Sequence, residues 1–244
     1  MPAAKPTQAK PRLSVVVAVY NEAENIEAVS REMLEALAPV APFEIIYVDD
    51  GSSDDTAAKV KAMGDPRIRL VRQTRAAKSQ ALRTGIQRAR ADWIATMDGD
   101  GQNDPRDIVK MAELAWAHGG SPLVAGVRRR REDPFSRKVA TKIGNGVRQF
   151  FLRDGCPDTG CGLKAFEREA FLKLPVSEGM HRFLPALFKT YGHPLVLHDV
   201  HHRPRAAGAS KYTNWQRGLV GVLDLMGVVW LRGRTKAPTV VEEG

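Results

Sequence analysis

Apolar residues fall along the first half of the chain in two alternating rhythms. Residues Leu13–Val19 (LSVVVAV) form a near-continuous apolar run, the pattern of a strand buried on both faces in a parallel sheet. After Tyr20-Asn21-Glu22 the apolar positions, Ile26, Val29, Met33, Leu34 and Leu37, recur every three or four residues. That spacing predicts an amphipathic helix capped by Asn21 and ending near Leu37. The alternation repeats, predicting strands at 43–48, 68–71, 93–97 and 123–126, and helices over 79–90 and from Pro105, where a missing N–H is harmless. Such an order implies right-handed crossovers and an α/β fold, with a mostly parallel central sheet, helices on both faces and ligands at the carboxyl ends of the strands. The second half is less regular. It predicts a basic helix at Phe135–Leu152, a loop entering a strand over 158–166, a helix over 180–191, a strand at Leu195–Val200 and a long apolar helix over 215–231 interrupted by Gln216, Arg217, Asp224 and glycines.

Polar clusters follow three of the strands. Asp98, Asp100 and Gln102 stand at alternate positions with Gly99 and Gly101 between them. In an extended segment that spacing turns three oxygen donors to one side, and the glycines let the backbone approach a ligand. Oxygen donors of this kind suit Mg2+ or Mn2+. The bare pattern equally describes a polar turn capping the helix at Pro105. Its place after a strand, near a second acidic cluster, favours the metal. In that second cluster, Asp49 or Asp50 can accept a base N–H or a ribose hydroxyl, while Ser52, Ser53 and Asp54 form a capping turn. No G-x-G-x-x-G follows the first strand and no G-x-x-x-x-G-K-[ST] occurs, which disfavours dinucleotide oxidoreductases and P-loop NTPases.

Composition narrows the partners. With 244 residues, 43% hydrophobic and 27% charged, the chain can build a full globular core. Lys+Arg number 37 against 28 Asp+Glu, a net charge of +9 that calls for anionic partners: nucleic acid, phosphorylated small molecules or membrane headgroups. Carboxylate pairs after the strands would repel nucleic-acid phosphates, so no nucleic-acid partner is expected. Cys156 and Cys161 are too few for a disulfide framework or a zinc site and read as reduced thiols. Residues 1–12 lack the apolar core of a secretory signal, and no apolar run reaches the roughly eighteen residues of a conventional span. The 215–231 helix reads equally as an interfacial helix with Arg217 and 232–236 at its ends, or as a core helix.

Residues 15–22 (VVVAVYNE), 47–54 (YVDDGSSD), 78–82 (KSQAL), 97–105 (MDGDGQNDP), 158–166 (DTGCGLKAF) and 205–212 (RAAGASKY) together resemble the family 2 glycosyltransferases of GT-A fold, in order and over about 13–232. Within them the chain is similar to the dolichyl- or polyprenyl-phosphate sugar synthases. The resemblance implies a Rossmann-like GT-A sandwich over 12–212, a tail at 1–11, an amphipathic membrane-interface helix at 213–233 and a tail at 234–244. It implies a nucleotide-diphosphate sugar, UDP-linked in preference to GDP-linked, on Val19, Tyr20, Glu22, Asp49 or Asp50, Lys78, Asp98 and Gly99. Asp98, Asp100 and Gln102 would hold Mg2+ or Mn2+. Arg128, Arg137 and Thr141 would grip the acceptor phosphate, and Arg205, Ser210 and Lys211 would form a basic loop closing over both substrates. Arg129–Arg131 read as a solvated or membrane-facing charge run, and His181, His198, His201 and His202 as structural. Cys161 stands where many relatives carry Ser.

A polyprenyl phosphate is ionised at neutral pH and needs no strong base. The implied reaction is in-line displacement with inversion, Asp158 orienting the attack or ordering Arg and Lys groups, with its role as a base open. The expected setting is the cytoplasmic face of the inner membrane, in cell-envelope glycan or lipopolysaccharide modification. Membrane contact is expected to be peripheral, or shared with a partner or in a homo-oligomer. The alternatives are a family 2 enzyme with a sugar-hydroxyl acceptor, or a non-catalytic basic membrane-binding module on the same fold.

Overall fold

The computed structural model describes residues 9–128, 135–175, 177–204 and 214–235, with the backbone alone over 135–143 and 214–220. The strands are β1 (Leu13–Val19), β2 (Phe43–Asp50), β3 (Ile68–Gln73), β4 (Trp93–Asp98), β5 (Leu123–Arg128), β6 (Lys164–Glu167) and β7 (Leu195–Val200). The helices are α1 (Ala23–Ala36), α2 (Thr56–Ala62), α3 (Ala77–Arg88), α4 (Arg106–Ala117), α5 (Phe135–Leu152), α6 (Arg168–Leu172), α7 (Leu184–Thr190) and α8 (Asn214–Arg234). One sheet runs in the order β3-β2-β1-β4-β6-β5-β7. Its pairs are parallel except that β6 lies antiparallel between β4 and β5.

The unbroken apolar runs become the centre of the sheet because β1 and β2 are covered on both faces. Val15 and Val17 of β1 and Ile45 and Tyr47 of β2 face one core with Ile26, Met33, Ile108 and Met111 from α1 and α4. Val16, Ile46 and Val48 face the other core with Ile86, Phe171, Phe188 and Leu225 from α3, α6, α7 and α8. At the amino ends of the strands the fully buried Glu44 carboxylate accepts from Ser14 Oγ and the Arg90 N–H, both at 2.7 Å, and from Arg69 Nη1 at 2.7 Å and Arg90 Nε at 2.9 Å. Burial works to raise its pKa, but these donors hold it below the ordinary value.

Two expectations are corrected. Asn21 does not cap α1: it has a φ of 52°, its Oδ1 accepts from the Ser53 N–H at 2.8 Å, and Glu22 takes the N-cap position without a side-chain cap bond. The helix over 180–191 is broken into a 3-10 turn at Met180–Arg182 and α7, whose first turn holds Pro185. The long apolar helix, α8, has two unlike sides. Leu225 and Val228 of α8 are buried in the core, while Val222, Leu223, Met226 and Trp230 on its other side are exposed.

Candidate active site

β1, β2 and β4 end side by side. Their parallel register sets Asp49 opposite Val19 and Asp98 opposite Ala18, so the acidic turns after β2 and β4 flank the Tyr20 turn. Crevices at the carboxyl ends of such strands are where parallel sheets bind ligands.

The two carboxylates that end β2 have different partners. Asp49 is fully buried and accepts from the Ser52 N–H at 2.9 Å and Arg72 Nε at 3.2 Å, fixing the turn. Asp50 Oδ1 accepts from Gln73 Nε2 at 2.7 Å and the Ala76 N–H at 2.9 Å, and Arg75 Nη1 lies 3.6 Å from Oδ2. The Arg75 guanidinium also covers the Tyr20 ring, 3.3 Å from its centroid. Glu22 accepts from Asn25 Nδ2 at 2.8 Å, and its N–H donates to Thr56 Oγ1 at 2.9 Å.

Beyond Asp98 the expected extended run does not continue. The strand stops and the chain turns over 99–101, with Gly101 at a φ of 74°. Asp100 Oδ1 accepts from the Gln102 N–H at 3.2 Å, and Gln102 Nε2 donates to the Arg203 carbonyl at 3.3 Å. That bond ties the amide nitrogen of Gln102 to the segment at Arg203. A Cβ on Gly99 would lie 2.6 Å from Val19 Cγ1, and one on Gly162 would lie 2.5 Å from Asp98 Cγ and both carboxylate oxygens. Glycine at 99 thus lets the turn pack on Val19, and glycine at 162 leaves room for the Asp98 carboxylate.

The Lys78 ammonium donates to Asp98. Burial pushes the Asp98 carboxyl up, but Lys78, with Lys164 beyond it, brings it below its ordinary value. The hard oxygen donors of Asp98 and Asp100 are of the kind that suits Mg2+ or Mn2+, and Lys78 occupies one oxygen of Asp98. Among the described residues no three His, Cys, Asp or Glu side chains cluster as metal ligands. The turn therefore offers a partial shell, which Gln102 and oxygens of a bound ligand would complete.

At the end of β5, Arg128 closes onto Asp158. Its Nε donates to Oδ2 at 2.7 Å, its Nη2 to Oδ1 at 2.8 Å and its backbone N–H to Oδ2 at 3.2 Å. Burial alone would lower the guanidinium pKa; the bidentate pair raises it instead. Arg137 and Thr141 lie on the described backbone of α5, with their side chains outside the description. Arg129–Arg131, Arg205, Ser210 and Lys211 lie outside the described residues. The approach to the last three is nevertheless anchored at the acidic turn. The Arg203 N–H donates to the Gln102 carbonyl at 2.8 Å, and Arg203 Nη2 donates to Glu32 Oε1 at 2.5 Å and lies 3.3 Å from Asp104 Oδ2.

A cavity of about 570 Å³ opens between the first turn of α3, the 160–164 loop and residues 178–184, reaching Lys78, Lys164 and His181. The reading of the motifs missed its floor. Lys164 is buried, donates to the Cys161 and Thr159 carbonyls, and has its pKa lowered by that burial. A lysine between Leu163 and Ala165 on a buried strand was the available signal. His181 was set aside as structural, and it does bond Ser79 Oγ through Nδ1 at 2.8 Å. It also lines this cavity, with a pKa well below the ordinary value because of burial and the nearby Lys78. His201 is held by Asp107, which accepts from its N–H at 2.7 Å. Cys156 and Cys161 are free and buried.

Comparison with known proteins agrees with this geometry. Residues 14–174 match glycosyl transferase family 2. The undecaprenyl-phosphate 4-deoxy-4-formamido-L-arabinose transferase of Pectobacterium carotovorum is 34% identical over 206 residues, covering 82% of this chain and 62% of the relative. The protein of the same name from Sodalis glossinidius is 30% identical over 207 residues, covering 83% and 63%. The chain spans less than two thirds of the length of these relatives. Among solved structures, glucosyl-3-phosphoglycerate synthase from Mycobacterium tuberculosis in complex with Mg2+ and UDP superposes with a TM-score of 0.69 at 20% identity, over 91% of this chain and 79% of that one. The same enzyme with Mn2+, UDP-glucose and phosphoglyceric acid gives 0.69 at 21%, with the same coverage. The fold is that of the GT-A glycosyltransferases, and the chain belongs to glycosyltransferase family 2.

Proposed function

We propose that this chain transfers a sugar from a nucleoside-diphosphate sugar to a polyprenyl phosphate, with inversion at the anomeric carbon. The observation that carries the reading is the division of charge across the strand ends. The carboxylates of Asp50 and Asp98 end β2 and β4, Asp100 follows, and the Arg128–Asp158 pair closes the end of β5. The donor's base and ribose would meet Tyr20, Glu22 and Asp50, and its diphosphate would lie at Asp98, Asp100 and Gln102. Those three residues would hold Mg2+ or Mn2+. When bound there, the cation neutralises the charge that builds on the departing diphosphate.

Lys78 adds a second positive charge on the same side and keeps Asp98 ionised. Asp158 fixes the plane of the Arg128 guanidinium, which with Arg137 and Lys211 would bring an anionic acceptor against an anionic donor. An oxygen of the lipid phosphate attacks the anomeric carbon as the bond to the diphosphate breaks, and the nucleoside diphosphate leaves. Because Asp158 is held by Arg128 in a bidentate pair, it is better placed to order that arginine than to take a proton. This favours an acceptor that is ionised before it binds over a sugar hydroxyl.

A membrane surface is the third part of the proposal. No helix among the described residues is long and apolar enough to cross a membrane. Phe150 and Phe151 of α5 and Leu223, Met226 and Trp230 of α8 are nevertheless exposed. The two helices are joined where Arg232 Nη1 donates to the Leu152 carbonyl at 2.5 Å. Such a surface suits the headgroup boundary at which a polyprenyl phosphate presents its charge. The deciding experiment is a panel of nucleotide sugars with Mg2+ or Mn2+ and a polyprenyl phosphate in detergent. Lipid-linked product that disappears with EDTA is expected. Transfer to free sugars without lipid would overturn the reading.

A further inference from the structure

We infer that the buried Arg148–Asp154 pair is a positioning device for the acceptor side of the site, a role that rests on the transfer reaction proposed above. The pair locks the loop before Asp158 onto α5 and so holds Arg128 in register with that helix. The chain leaves α5 through Arg153, at a φ of 45°, and Gly155, at a φ of 80°, and turns back along the helix. Arg148 Nη1 donates to Asp154 Oδ2 at 2.7 Å and Nη2 to the Cys156 carbonyl at 2.5 Å. Gln149 Nε2 donates to Asp154 Oδ1 at 2.9 Å and to the same carbonyl at 2.8 Å, and Asn145 Nδ2 donates to the Pro157 carbonyl at 2.9 Å. The next residue is Asp158, which holds Arg128.

Both charges are covered, with 7% of the Arg148 side chain and 0% of the Asp154 side chain exposed. A buried pair adds little net stability, because desolvation offsets most of the attraction. Arg148 Nε, moreover, has no hydrogen-bond partner among the described residues. What the pair supplies is geometry: a planar guanidinium points in two fixed directions, at a carboxylate and at a backbone carbonyl. Helical periodicity gives that geometry its use. Positions 137, 141, 145 and 148 of α5 fall within about 80° around the helix axis at 3.6 residues per turn, so the side that grips the loop is the side that carries positions 137 and 141. Val147 and Phe150 stand round the helix from it and are exposed. Two acceptor-binding arms are thus joined at one point: α5 itself, and β5 with Arg128 ordered through Asp158. A small shift of the loop would tilt the Arg128 guanidinium away from the phosphate it is to hold.

The test uses the full chain carrying Arg148→Met with Asp154→Leu, which removes both charges without leaving one buried alone, and separately the surface change Asn145→Ala. Three quantities are read: KM for a polyprenyl phosphate, affinity for UDP in Mg2+, and the NMR signal of the Arg128 Nε–H, identified by its loss in Arg128→Lys. In the double variant the lipid KM should rise about 10-fold, UDP affinity should stay within about two-fold, and the Arg128 Nε–H should exchange faster with solvent. Asn145→Ala should move the same two readings in the same direction, the lipid KM by about 3-fold. If the double variant does not fold, this second variant decides. Added to Arg128→Lys, the double change should cost little more, because both act through one guanidinium. Full additivity there would overturn the inference, as would an equal loss of UDP affinity. An unchanged lipid KM and Arg128 signal in the folded variants would also overturn it, and would leave the transfer reading standing. Faster Arg128 exchange in the variants, with no lipid-linked product from the unaltered chain, would keep the ordering of Arg128 through α5 and sink the transfer reaction.

Discussion

The proposed donor side and the proposed lipid side of this site are built in opposite ways. At the ends of β2 and β4 the carboxylates are tied to neighbours: Asp49 to Ser52 and Arg72, Asp50 to Gln73 and Ala76, Asp98 to Lys78. Around α5 and α8, large apolar side chains stand in solvent, with Phe150 72% and Trp230 65% exposed. A small, highly charged ligand needs groups held in place before it arrives, since reorganising them would cost binding energy. A long flexible lipid needs only an apolar surface and a few cations to hold its phosphate.

Substitutions should separate the two sides. The largest effect is expected for Asp98→Ala, a loss of roughly 1,000-fold or more in kcat, measured as product formation with the melting temperature little changed. A variant with near-normal turnover would remove Asp98 from the donor side. Next, Arg128→Lys cannot reproduce the bidentate pair. It should lower kcat/KM for the polyprenyl phosphate by about 100-fold while leaving nucleotide affinity within a factor of about two. An equal loss in both would mean that Arg128 serves the donor or the fold.

On the lipid side, Phe150→Ser combined with Trp230→Ser should weaken binding to anionic liposomes by ~10-fold, about 1.4 kcal/mol of lost apolar burial. Activity on a short-chain soluble polyprenyl phosphate should stay the same. Unchanged liposome binding would refute the membrane-facing assignment of these helices. The smallest effect on catalysis belongs to Glu44→Gln, at the far end of the sheet. Leaving Arg69 and Arg90 without their buried partner should cost about 3 kcal/mol of stability, read by denaturant unfolding, with kcat unaltered at temperatures where the variant is folded. The Glu44 carboxyl has a lower pKa folded than unfolded. Its contribution is thus fully present above the unfolded value of about 4.3 and is lost as pH falls through the folded one. Glu44→Gln should correspondingly flatten acid denaturation below about pH 4.

β1, β2, β4 and β5 were legible because their apolar runs carry the signal of burial, and the half-buried edge strand β3 showed itself through Ile68, Leu70 and Val71. β6 was legible as a strand, but its direction was not: the pattern of four residues is the same whichever way a strand runs, and only its pairing with Thr96 and Ala125 through Lys164 fixes it. The acidic turns could be found from their composition and place. Which carboxylate of the pair after β2 looks towards Tyr20 could not, because adjacent residues on a strand point to opposite faces and either could have been the open one. Lys164 escaped notice for a related reason. A lysine in sequence says nothing of the backbone carbonyls, from Thr159 and Cys161, that make its burial tolerable.

By itself, the sequence determined the alternating strand and helix order, the family, and the acidic turn at Asp98, Asp100 and Gln102, since each is written in local pattern and spacing. The tertiary structure alone decided that Asp98 is paired with Lys78, that Arg128 is ordered by Asp158, and that Arg75 lies on Tyr20 beside Asp50, which Gln73 also holds. Those partners stand 20, 30, 55 and 23 residues apart or come from different strands and loops. No local rhythm encodes such pairings. They arise when the parallel sheet brings distant strand ends to one edge, where buried charges must find partners or remain unpaired at large cost.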